Sequence, residues 1–148
     1  MRAIISYVDL LAKQTAKPVK WLSFPRTSNC LREAGIELPS SFETIPPMGY
    51  LEFLTAQRKS HCVVSDSGTA QEEPAVLGVP VCVPRDFTER WESVQAGNSL
   101  MIDLSKPAGE LVLESTRFVR EFSDDPDIRW MGEGDTAQRV VSILRDSL

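Results

Sequence analysis

Two short stretches of this chain carry residue types that could do chemistry: Ser65-Asp66-Ser67-Gly68-Thr69, and the run from Pro84 to Glu92. The first follows an apolar run, His61-Cys62-Val63-Val64-Ser65, and precedes a helical pattern. The first amides of a helix have no internal partners and carry the positive end of its dipole. A phosphate docks there when small residues allow close approach, and Ser67 and Gly68 are small. An ordinary capped helix start has the same composition, so both readings stand. Glu72 and Glu73 follow one turn later, where a carboxylate can accept hydrogen bonds from a ribose diol. Neighbouring residues do not share a helix face, so at most one of the two should enter the site. In the second stretch, Arg85 and Arg90 suit a diphosphate, because guanidinium matches phosphate oxygens in a fork. Read from charge alone, they are better explained as surface arginines balanced by Asp86, Glu89 and Glu92.

These loops need a scaffold with strands behind them. Ile4, Val8 and Leu11 predict a helix over 3–15, and residues 18–24 read as a short strand. A short helix over 28–33 is closed by Gly35. A strand over 42–46 ends at Pro46, and a helix over 48–59 carries Leu51, Phe53 and Leu54. Residues 61–65 and 79–83 are continuous apolar runs typical of buried parallel strands. The helix between them ends at Gly78. Residues 98–103 suggest another strand. A helix over 107–122 has Ser105 as candidate cap, and 124–127 read as a solvated acidic loop. Residues 137–148 place Ala137, Val140, Val141, Leu144 and Leu148 on one apolar face, with Asp135 or Thr136 as cap. The alternation predicts an α/β fold: a Rossmann-like parallel sheet flanked by helices on both faces. Such sheets bind ligands beyond the carboxyl ends of their strands, where both loops would lie.

The 148 residues fit one domain over 1–148. A net charge of −5 argues against nucleic acid as the main partner. No apolar run reaches the roughly 20 residues that span a bilayer, and no secretory pattern opens the chain. Cys30, Cys62 and Cys82 are too widely spaced for a metal clip and read as reduced, buried thiols of a cytoplasmic protein. With His61 the only histidine, the expectation is no metal and no cofactor.

Four segments resemble one family in order and separation. They are Met48 to Leu54; Ser65 to Glu73; Leu77 to Val81 with Arg85 to Arg90; and Gly132 to Ala137. Together they are similar to the non-hydrolysing UDP-N-acetylglucosamine 2-epimerases, while residues 1–45 match loosely. The resemblance implies the C-terminal half of a GT-B fold and an isomerase of cell-envelope polysaccharide biosynthesis. It implies elimination of UDP from UDP-GlcNAc, then re-addition to the opposite face to give UDP-ManNAc. It also implies roles. Ser67 and Gly68 would bind diphosphate, as would Arg90 and, less directly, Arg85. Glu73 would hold the ribose, and Phe53 would lie near uracil.

Departures touch the same places. Thr69 and Ala70 stand for Gly and Ile, Pro74 falls one position early, Trp91 replaces proline, and Phe24 replaces histidine. The family's proton-transferring groups come mainly from its N-terminal half, so no residue here is assigned as catalytic. The expected partners are UDP, a UDP-N-acetylhexosamine, and an N-terminal epimerase domain or subunit, with a homodimer also open. The alternatives are the donor-binding subunit of a split GT-B glycosyltransferase, or a non-catalytic truncated domain.

Overall fold

The computed structural model describes residues 1–123 and 125–147. Strands and helices alternate along the chain. Helix α1 (Arg2–Thr15) leads to β1 (Val19–Leu22), α2 (Pro25–Glu33) and β2 (Phe42–Ile45). Next come α3 (Tyr50–Arg58), β3 (Val63–Val64), α4 (Thr69–Leu77) and β4 (Val81–Val83). They are followed by α5 (Trp91–Gln95), β5 (Ser99–Met101), α6 (Ala108–Glu121) and α7 (Thr136–Asp146). Every strand pairing is parallel, as the alternating pattern predicts. The fold class is therefore the expected α/β one.

The expected single sheet is divided in two. One sheet is β1-β2, with Val19 opposite Phe42, and the other is β3-β4-β5. Central strand β4 is wholly buried, consistent with its unbroken Val81-Cys82-Val83 run. Strand β3 has only two residues and is half-buried, against the expectation of a buried strand. Its second edge meets no strand among the described residues.

The core gathers where α1 and α6 pack over the three-stranded sheet. Tyr7, Val8 and Leu11 from α1 meet Cys82, Ile102, Leu111 and Val112. The Tyr7 hydroxyl donates to Ser115 Oγ at 2.7 Å, and Ser115 donates to the Leu111 carbonyl at 2.7 Å. This satisfies a fully buried phenol inside apolar packing. Burial is also what pushes the Tyr7 pKa far upward.

Several local expectations change. Helix α2 starts at Pro25, whose fixed φ suits a first helical position. Ser105 does not cap α6; its hydroxyl donates to Asp103 Oδ1 at 2.6 Å, and Pro107 takes the cap position. Asp135 occupies the α7 cap position without a side-chain bond. Leu51 is exposed, and Gln57 takes the buried place on α3. Cys30 is exposed, so only Cys82 fits the buried-thiol reading fully. The apolar stripe of α7 is uncovered: Val140, Val141, Ile143 and Leu144 are all exposed. Asp124 of the predicted acidic loop and Leu148 of that stripe lie outside the described residues.

Candidate functional site

The loop after β3 and the loop after β4 lie side by side because those strands are neighbours in register, Val64 opposite Cys82. Ser65 N–H donates to the Cys82 carbonyl at 3.2 Å, which fixes where the first loop leaves the sheet. Ser67 then turns back, its N–H donating to Ser65 Oγ at 3.2 Å. Its own Oγ lies 3.1 Å from Thr69 Oγ1. Gly68 takes the cap position of α4 with helical φ −60 and ψ −46, and no side chain caps that end. The opening amides of α4 are thus left to whatever anion approaches them.

An internal carboxylate already lies close. A Cβ built on Gly68 would come within 3.0 Å of Glu89 Oε1. Glu89 also accepts from Arg85 Nη1 at 3.0 Å, and Arg85 stacks over Phe87 at 4.9 Å. A hydrogen bond from Glu89's own backbone N–H to its carboxylate, with the nearby Arg85 and Arg90 charges, holds its pKa below the usual carboxylate range. It therefore stays ionised at neutral pH.

The second loop is tied to α4 at two points, Thr88 to Gln71 and Arg90 to Glu72. Thr88 is buried and donates to Gln71 Oε1 at 2.9 Å, and its Oγ1 accepts from Arg90 N–H at 3.0 Å. Arg90 Nε pairs with Glu72. That ion pair raises the Arg90 pKa further. The two glutamates do diverge, as their spacing requires. Glu72 faces the arginine loop, while Glu73 accepts from Gln57 Nε2 of α3 at 3.1 Å. Phe53 sits one helical turn before Gln57, half-buried on the same face of α3.

The structure thus brings Gly68, Arg85 and Arg90 around one helix start, through Glu89 and Glu72. Ser67 joins them in the turn that opens α4. Glu73 and Phe53 belong to the adjoining α3–α4 face. Sequence reasoning gave no site role to Glu89, Thr88, Gln71 or Gln57. The Arg85/Glu89 spacing of four was the one visible signal. The others are joined by bonds spanning 16 and 17 residues. Among the described residues no group of three or more metal-binding side chains comes together.

The comparisons with known proteins decide the family. A sequence model described as UDP-N-acetylglucosamine 2-epimerase matches residues 1–145. The chain belongs to the UDP-N-acetylglucosamine 2-epimerase family. The chain is 34% identical over 131 residues to the Methanocaldococcus jannaschii UDP-N-acetylglucosamine 2-epimerase, covering 81% of this chain and 33% of that protein. For the Methanococcus maripaludis enzyme of the same name the identity is 30% over 150 residues, covering 95% of this chain and 38% of the relative. The solved M. jannaschii UDP-GlcNAc 2-epimerase in complex with UDP-GlcNAc and UDP superposes with a TM-score of 0.82 at 26% identity. That match covers 97% of this chain and 40% of the other. The Neisseria meningitidis enzyme bound to UDP-GlcNAc gives a TM-score of 0.69 at 26% identity, covering 99% and 41%. The chain therefore spans roughly two-fifths or less of the length of these family members.

Proposed function

We propose that residues 1–148 form a single Rossmann-like domain that binds the UDP moiety of a UDP-N-acetylhexosamine. The observation that carries this reading is the uncapped start of α4 at Gly68, enclosed by the loop that holds Arg85 and Arg90. The helix amides and the Ser67 hydroxyl would receive the diphosphate, and the two guanidiniums would flank it. Glu73 would accept from the ribose hydroxyls, and Phe53 would lie against the uracil. Relatives bearing the name UDP-GlcNAc 2-epimerase support the sugar class.

In this reading the domain supplies binding and leaving-group stabilisation for an epimerisation by UDP elimination and re-addition. UDP leaves as an anion, so cations and helix amides around its phosphates favour bond cleavage. Proton transfer at the sugar C2 needs an acid or base within about 3 Å. A complementary N-terminal domain or subunit would supply it, and the isolated chain would bind without turning over. The setting would be the cytoplasm, where nucleotide sugars are made and consumed.

Isothermal titration tests the reading. UDP should bind in the millimolar range or tighter, and Glu73→Ala should weaken it about tenfold, the loss expected for a charge-assisted hydrogen bond. No heat at millimolar UDP, or an unchanged constant for the variant, would count against it. Glu89 gives a second test with the opposite sign. Its carboxylate competes with phosphate for the helix start and for Arg85. Glu89→Gln should therefore tighten UDP by about threefold at low ionic strength, with the gain fading as salt screens the site.

A further inference from the structure

Gln57 is a buried polar group that packing does not explain. It is only 3% exposed, at the place where an amphipathic helix ordinarily turns an apolar side chain inward. Its Nε2 donates to Glu73 Oε2 at 3.1 Å. Its Oε1 is buried and accepts from no group among the described residues. An unpartnered buried acceptor lowers stability, and methionine or leucine would fill a similar volume without that loss. The compensation lies in the amide nitrogen.

That nitrogen acts on a carboxylate with no cation beside it. Glu72, one residue earlier, pairs with Arg90. Glu73 faces α3 instead, and among the described residues Gln57 is its only side-chain partner. The amide can take only this orientation, because turned over it would set its oxygen against the carboxylate. One donor on Oε2 fixes the rotation of the whole group and leaves Oε1 as the acceptor for an outside donor. A neutral amide does this without cancelling the charge, so hydrogen bonds to Oε1 stay charge-assisted. An arginine or lysine at this position would hold the carboxylate and neutralise it. The backbone is anchored as well: Pro74, next in α4, is fully buried. Glu73 itself is half-buried, so part of it remains open to a ligand.

We propose that Gln57 is a positioning residue for Glu73: it sets the carboxylate in place for the ribose hydroxyls and so gives the site its preference for an intact ribose diol. The inference rests on the ribose role proposed above for Glu73. It goes beyond that role by naming the group that orients the carboxylate and the discrimination that follows. A carboxylate already held in place loses little rotamer freedom when the sugar binds. Phe53 shares this face of α3, one turn before Gln57, so base and ribose would be met by one helix.

The test titrates UDP and its 2′,3′-dideoxy analogue into the wild-type chain, Gln57→Met and Glu73→Ala, and reads the ratio of the two dissociation constants. The wild type should favour UDP by roughly tenfold or more, and Glu73→Ala should bring the ratio close to one. Gln57→Met keeps the volume and removes the donor. UDP should then weaken by about fivefold, while the dideoxy analogue is unchanged. The thermal midpoint of Gln57→Met should not fall, since the unpartnered acceptor leaves with the amide. Gln57→Leu repeats the measurement with a second apolar shape. A purely structural role predicts the reverse, a lower midpoint and equal losses for both nucleotides. Equal losses, or a full preference retained in Gln57→Met while Glu73→Ala removes it, would overturn this inference and leave the ribose reading standing. A wild type with no preference between the two nucleotides would overturn both.

Discussion

Arg90→Ala is expected to weaken UDP binding by roughly thirtyfold, the largest loss among single changes at the helix start, because it removes a charge-assisted phosphate contact. Two effects add in the same direction. A cation that would flank the diphosphate is lost. Glu72, which Arg90 Nε engages, is left half-buried without its partner on the α4 face that should receive an anion. The second effect makes the prediction separable from simple loss of a contact. In the double variant Arg90→Ala with Glu72→Gln, the orphaned charge is gone, and part of the affinity should return. A titration series over the four proteins measures that coupling directly. If Arg90→Ala alone costs less than about threefold, Arg90 is a structural pin for its loop rather than a phosphate ligand. Circular dichroism separates the two: the Thr88–Gln71 bond would still hold the loop, so the fold should be unchanged.

How much of this was legible in the sequence depends on the range of the interaction. Helix α4 was readable at both ends from local chemistry. Gly78 closes it in the left-handed region at φ 70, a conformation that favours glycine. Strand β2 was readable because Pro46 must end it. Strand β4 was readable because a strand buried on both faces needs no polar alternation. Pairing was a different matter. Apolar runs announce strands but do not say which edges meet, so a single sheet was expected where two exist. The site shows the same limit. Ser67, Gly68 and the two arginines stood out by type. Their carboxylate partners are set by tertiary approach. Glu72 and Arg90 are 18 residues apart, and Glu89 reaches Gly68 only because β3 and β4 are neighbours. The alternating pattern put both loops beyond the carboxyl ends of the strands, and the resemblance of four motifs to one family supplied what periodicity could not, namely the ligand they would hold.

Ile102→Ala is expected to destabilise the chain by about 2–5 kcal/mol, measured by urea or thermal unfolding. Ile102 is fully buried just past β5. Its N–H donates to the Val83 carbonyl at 2.8 Å, so the residue is fixed in place and its side chain cannot shift to fill a void. The neighbours Tyr7, Cys82 and Leu111 come from three other elements, each anchored separately, which limits collapse around the lost atoms. The comparison that gives this number meaning is Val64→Ala. Val64 is also apolar and packs against the same cluster, but it lines the open cleft between the two sheets and is only half-buried. Its truncation should cost about 1 kcal/mol or less, since surface already in contact with water loses little by being removed.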